Sequence, residues 1–197
     1  MSSSPPPLLI LASTSRYRQA LLARLGIPFT AHAPLCDEDA LKEDLLSPRE
    51  LAEKLALAKA QSLVATFPDA VILGSDQVCA CEGQILHKPG DAAGAQRQLA
   101  ALAGRKHQLI TAVCLLHGGN VQRHTDITTL TMRSLTSAEI ARYVAVDEPY
   151  DCAGAYKLEQ QGIALFDAIE SLDHTAIVGL PLIAVASLLR GVGFATP

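Results

Sequence analysis

The stretch LLILASTSRYRQALLARLGIPF, residues 8–29, decides how the fold begins. Leu8 to Ala12 is a short apolar run of the kind that forms a buried strand. It breaks into Ser13, Thr14 and Ser15, small hydroxyl residues that favour loops and helix caps. Arg16 to Leu25 then reads as a helix, with Ser15 as N-cap and Gly26 and Pro28 as its stop. A strand feeding a helix start presents free backbone N–H groups and the positive end of the helix dipole, which together favour an anion. Two arginines there oppose the dipole, and a bound polyanion would reverse that sign. At 3.6 residues per turn they lie about 200° apart, so they do not grip one phosphate side by side. Arg18 is the expected ligand contact, the alternative being two solvated arginines on a surface helix.

Downstream, Ser47-Pro48 pairs a capping residue with proline at the first helical position, opening a long helix through RELAEKLALAKAQSLVATF. AVILGSDQVCACEGQIL predicts a buried strand, a break at Gly74-Ser75-Asp76, and a second extended segment turning at Glu82-Gly83. AAGAQRQLAALAG is a helix ending at Gly104. A hairpin turns at Gly118-Gly119-Asn120, Thr136 and Glu139 fit a capping box, and a last helix starts from Pro181. Strands and helices alternate but hairpins intrude, so the fold class is α/β, with a mixed central sheet and flanking helices.

With 197 residues and about half of them apolar, the chain can build one sizeable core. Residues 8–197 are expected to form a single domain behind a disordered tail, residues 1–7. That tail has no basic n-region, LLILA is shorter than the ~7-residue minimum of a signal core, and nothing approaches the ~18 apolar residues of a membrane span. The formal charge of −4 argues against an extended nucleic-acid surface while allowing a local cationic pocket. A cytoplasmic protein with neither nucleic-acid nor membrane partners is the expectation. The five cysteines show no CxxC or zinc spacing, which fits reduced thiols, and Cys79 and Cys81 are expected to share one strand face and pack as small hydrophobes. The six histidines show no ligand spacing.

Three groups could carry chemistry. Asp76 is a carboxylate set in an apolar run, at a strand end where ligand crevices open, and a buried carboxylate needs a cation or donors to stay ionised. It could instead be a turn aspartate bonding its own backbone. Asp37, Glu38 and Asp39 are either a solvated acidic loop or, one or two of them with Asp76, the oxygen ligands that suit Mg²⁺ or Mn²⁺. Lys59 on the long helix and Lys88 before Pro89 are either fixed charges for phosphate or ordinary surface lysines. No GxxxxGK[ST] is present, which disfavours a P-loop enzyme. STSRYR also lacks the glycines of a nucleotidyltransferase loop.

In order, Ser13-Thr-Ser15-Arg16-Tyr17-Arg18 with Leu21-Leu22, Asp37-Glu38, Lys59-Ala60, Ser75-Asp76, Lys88-Pro89, Ala153-Gly154-Ala155-Tyr156 and Val178-Gly179-Leu180-Pro181 resemble the marks of the Maf family of nucleoside triphosphate pyrophosphatases. The resemblance covers roughly residues 8 to 192. Arg16 replaces the family's proline, and His87 stands where Gly or Glu often precedes the lysine.

The resemblance implies a hydrolase of phosphorus anhydrides that releases pyrophosphate from a nucleoside triphosphate, with the nucleotide in a deep cleft between two lobes. It also implies a homodimer. It assigns Ser13, Ser15, Arg18, Lys59 and Lys88 to the phosphates, Glu38 and Asp76 to Mg²⁺ or Mn²⁺, and catalysis to Asp76 (as base or metal ligand), Lys59 and Lys88. Tyr17, Gln77 and Glu159 together resemble the branch acting on 7-methyl-GTP, whose cationic flat base suits an aromatic face and a carboxylate. The alternatives are the branch acting on dTTP and UTP, and a non-catalytic nucleotide-binding regulator of cell division.

Overall fold

The structure is a computed structural model that describes residues 7–41 and 46–196. The expected tail, apart from Pro7, and residues 42–44 of the acidic stretch lie outside the described residues. Among those described, the strands are β1 (Leu9–Ala12), β2 (Thr30–His32), β3 (Val71–Cys81), β4 (Gln84–Leu86), β5 (Lys106–His117), β6 (Asn120–Met132) and β7 (Phe166–Glu170). The helices are α1 (Arg16–Ala23), α2 (Pro48–Gln61), α3 (Ala92–Leu102), α4 (Ser137–Asp147) and α5 (Leu182–Gly191). The sheet order is β2-β1-β3-β5-β6-β7, with β4 paired to β3. β1 runs parallel to both β2 and β3, whereas β3–β4 and β6–β7 are antiparallel. The mixed sheet with flanking helices is therefore as expected.

The chain divides into two compact units. Of the described residues, the first comprises those within 1–76, 111–126 and 173–197, and the second those within 77–110 and 127–172. In the first unit, strand period two sorts side chains onto opposite faces. Leu9, Leu11, Val71 and Leu73 join Leu21 and Leu22 of α1 and Leu182, Val185 and Leu189 of α5 in one buried core. Gly74 lies on the other face, against Ala56 and Ala60 of α2. In the second unit α3 packs on α4, burying Leu99, Leu102, Ile140 and Val144.

Local signals placed most helix starts. The Ser15 hydroxyl accepts from the Arg18 N–H, and both Ser47 with Glu50 and Thr136 with Glu139 complete capping boxes.

Three expectations need correction. β3 runs unbroken through Gly74-Ser75-Asp76. Gly74 is there for close approach: a Cβ on it would stand 2.2 Å from the Ala56 carbonyl oxygen and 2.9 Å from the Ala60 nitrogen of α2. The glycine admits a helix to the sheet rather than turning the chain. α2 stops at Gln61 instead of continuing to Phe67, because the Ser62 hydroxyl bonds back to the Lys59 carbonyl at 2.8 Å and accepts the Leu35 N–H at 3.0 Å. α1 ends at Ala23, two residues early. The short strands β2 and β7 had no distinct sequence signal.

Candidate active site

Ser75 and Asp76 are adjacent on β3 and point to opposite faces, and the first unit uses both faces. On the α2 face, the Lys59 ammonium donates to Asp76 Oδ1 at 2.6 Å and pairs with Glu38 Oε2 at 3.0 Å. Lys59 and Asp76 are buried, while the Glu38 side chain keeps 45% of its exposure. Lys59 is thus not a surface lysine. It is the cation that a carboxylate in this apolar strand requires, held in reach by the closeness of α2 to Gly74. Asp76 is not a turn aspartate bonded to its own backbone.

Of the acidic loop, Glu38 reaches this charge. Asp37 Oδ1 accepts the N–H groups of Asp39 and Ala40 at 3.0 and 3.2 Å, so it shapes the loop that presents Glu38.

On the other face, the Ser75 hydroxyl donates to the Gly179 carbonyl at 2.9 Å, and Arg18 Nε donates to the same oxygen at 2.9 Å. Burial lowers the Arg18 pKa, and the negative charges of Asp76 and Glu38 act in the opposite direction. Its terminal nitrogens make no hydrogen bond or ion pair among the described residues. A guanidinium tethered through Nε keeps its fork free for an anion. Ser13 is buried and its hydroxyl accepts the Ser15 N–H at 3.1 Å, which sets the loop before α1. Tyr17 is half-buried, with the Arg16 guanidinium 4.8 Å from its ring centroid and a 2.8 Å bond from Arg16 to its hydroxyl.

The first unit thus brings together Ser13, Ser15 and Arg18 at the opening of α1, and Glu38, Lys59 and Asp76 around one ammonium. Gln77, Lys88 and Glu159 belong to the second unit. There Gln77 is half-buried in β3, while Lys88 and Glu159 are exposed. Sequence reasoning gave no role to the Gly179 carbonyl. Its one signal was the Val178-Gly179-Leu180-Pro181 mark, which says nothing of what it touches.

A family model described as Maf-like protein matches residues 8–192. The chain belongs to the Maf family. Among Maf relatives, the 7-methyl-GTP pyrophosphatase of Bdellovibrio bacteriovorus is 50% identical over 186 residues, which cover 94% of this chain and 97% of that protein. The 7-methyl-GTP pyrophosphatase of Xanthomonas axonopodis pv. citri is 50% identical over 192 residues, 97% of this chain and 100% of its own length. A HAM1 protein structure from Coxiella burnetii covers 94% of this chain and 99% of its own, with a TM-score of 0.51 and 16% identity. That likeness concerns the fold alone. Among the described residues of this Maf protein no helix is long and apolar enough to cross a membrane.

Proposed function

We propose that the protein hydrolyses 7-methyl-GTP to 7-methyl-GMP and pyrophosphate. The observation that carries this reading is half-identity, over nearly the whole chain, to proteins called 7-methyl-GTP pyrophosphatases. The charge arrangement supports phosphate chemistry. Arg18 and the first turn of α1 take up phosphate charge, with Ser13 and Ser15 shaping that loop. The attacking water forms a bond to the α-phosphorus as the bond to the α,β-bridging oxygen breaks, and the electron pair leaves with pyrophosphate. Lys59 holds Asp76 through Oδ1, which leaves Oδ2 to orient that water, or to take its proton as base.

Glu38 and Asp76 fit a divalent cation, since they are oxygen donors that already converge on one cationic group. Mg²⁺ commonly binds through one or two carboxylates plus substrate phosphates, a mode that needs no larger protein cage. Among the described residues no group of three or more His, Cys, Asp or Glu could hold a metal by itself. When bound, Mg²⁺ or Mn²⁺ would offset phosphate charge and favour attack by water. The roles of Lys88 at the phosphates and of Tyr17, Gln77 and Glu159 at the base rest on the family resemblance, as does a homodimer, whereas a cytoplasmic location rests on the cysteine usage.

The test is product analysis of the purified protein with Mg²⁺ across 7-methyl-GTP, GTP, dTTP and UTP. 7-Methyl-GTP is expected to turn over fastest, giving pyrophosphate as the first product, and Asp76→Asn to abolish turnover while keeping the circular dichroism spectrum. Orthophosphate as first product, or a preference for dTTP or UTP, overturns the reading.

A further inference from the structure

The Gly179 carbonyl receives two donors from different elements, Arg18 of α1 and Ser75 of β3. One oxygen therefore fixes both the guanidinium and the residue next to Asp76. Gly179 has φ +106°, where a side chain is strained, and a Cβ there would stand 3.3 Å from Arg18 Nε. What holds this carbonyl in place is a polar clamp at the start of α5. Asp173 Oδ1 accepts the Thr175 N–H at 2.9 Å and the Thr175 hydroxyl at 2.5 Å. The Thr175 hydroxyl in turn accepts the Leu182 N–H at 2.8 Å, and Asp173 Oδ2 accepts the Ile183 N–H at 2.8 Å. From β5, the Thr111 hydroxyl donates to the Ala176 carbonyl at 2.9 Å. Both ends of the turn 175–180 are thus pinned, and Asp173 and Thr175 are buried.

A cap for α5 alone needs only the bonds to Leu182 and Ile183. The same two side chains also set where the intervening turn aims its Gly179 carbonyl, because the turn closes through Val178 N–H to Thr175 O at 3.1 Å and Gly179 N–H to Ala176 O at 2.9 Å. We infer that Thr175, with Asp173, is a positioning residue for the anion-binding Arg18, acting through the Gly179 carbonyl. The chain of contacts is Asp173–Thr175, the turn, Gly179 O, Arg18 Nε. It orients the free guanidinium fork without touching substrate.

This rests on the reading of Arg18 as a phosphate contact, and pyrophosphate is a probe independent of base choice and turnover. Pyrophosphate affinity is measured by calorimetry in a double-mutant cycle of Thr175→Val and Arg18→Ala, with thermal melts alongside. Thr175→Val, which keeps the shape and loses the hydroxyl, is expected to weaken pyrophosphate binding about tenfold in the Arg18 background and by less than about twofold once Arg18 is gone. Thr175→Ser restores binding to within about twofold, because it keeps the hydroxyl. Equal losses in both backgrounds, or a normal affinity in Thr175→Val, overturn the inference even if 7-methyl-GTP is hydrolysed. Absence of pyrophosphate binding in the unaltered protein overturns it at its root. Failure of 7-methyl-GTP hydrolysis with the cycle intact would overturn only the substrate assignment.

Discussion

Two buried polar clusters in this molecule are built on opposite principles. In the first unit, Lys59 meets the buried Asp76 and the half-exposed Glu38, and the terminal nitrogens of Arg18 have no partner among the described residues. In the second unit, His107 Nε2 lies 2.9 Å from the Tyr156 hydroxyl. The Tyr156 ring packs edge-on to Phe166 at 4.9 Å. Burial pushes His107 down to about 4 and the Cys79 thiol up to about 12, which keeps both neutral near pH 7. Nearby, the Lys157 ammonium donates to the carbonyls of Asp147 and Glu148 at 2.9 and 3.2 Å, closing the end of α4. The His107–Tyr156 bond and the ring packing make a scaffold of neutral groups, although His107 Nδ1 is buried without a hydrogen-bond partner among the described residues. Charges with unused bonding capacity make a place where a ligand can complete the set.

The largest test of this contrast is Lys59→Met, which strands the buried Asp76 carboxylate. It should cost about 3 kcal/mol of stability in urea unfolding, and removes activity as well. An unchanged midpoint would show that the pair is not held as a buried charge pair. Next is the pH response of the second unit. The unfolded chain binds a proton at His107 from about pH 6.5 downward, whereas the fold resists until about 4. Stability from this histidine is therefore complete above pH 6.5 and drains away as pH falls, by about 2–3 kcal/mol between pH 7 and 4.5. Comparing urea curves of the protein and His107→Phe at both pH values isolates it; the variant should lack this part of the slope.

A smaller effect is expected for Gly74→Ala. Pushing α2 from the sheet should cost about 2 kcal/mol. Because Lys59 rides on α2, pyrophosphatase activity should fall further than the loss of stability explains when assayed well below the melting temperature. The smallest is Thr136→Ala, which removes a cap hydroxyl remote in kind from both clusters. It should lower stability by about 1 kcal/mol and leave kcat/KM unchanged.

The elements that could be read from the sequence were those with local causes. Ser15, Ser47 and Thr136 each cap a helix through a bond reaching three residues on, so the caps are visible in a four-residue window. The Glu82-Gly83 and Gly118-Gly119 turns likewise announced their hairpins. β2 and β7 escaped because they are three and five residues long and have no fully buried position, which leaves no periodicity to detect. Gly74 misled for a related reason: a glycine needed for packing and a glycine needed for a turn are the same letter. At the candidate site, Arg18, Asp76 and Lys59 were legible as unusual charges in unusual places, but their partners were not.

By itself, then, the sequence determined the α/β class, the strand–loop–helix opening at Ser13–Arg18, the capped helices and the set of charged residues worth watching. These follow from backbone preference, side-chain periodicity and bonds a few residues apart. Only the tertiary structure decided that Lys59 neutralises Asp76, that Asp37 serves the loop while Glu38 serves the charge, and that one carbonyl at Gly179 holds both Arg18 and Ser75. Those last two bonds span 161 and 104 residues. No window along the chain contains both partners, because what joins them is the packing of α1, β3 and the turn before α5 around a common core.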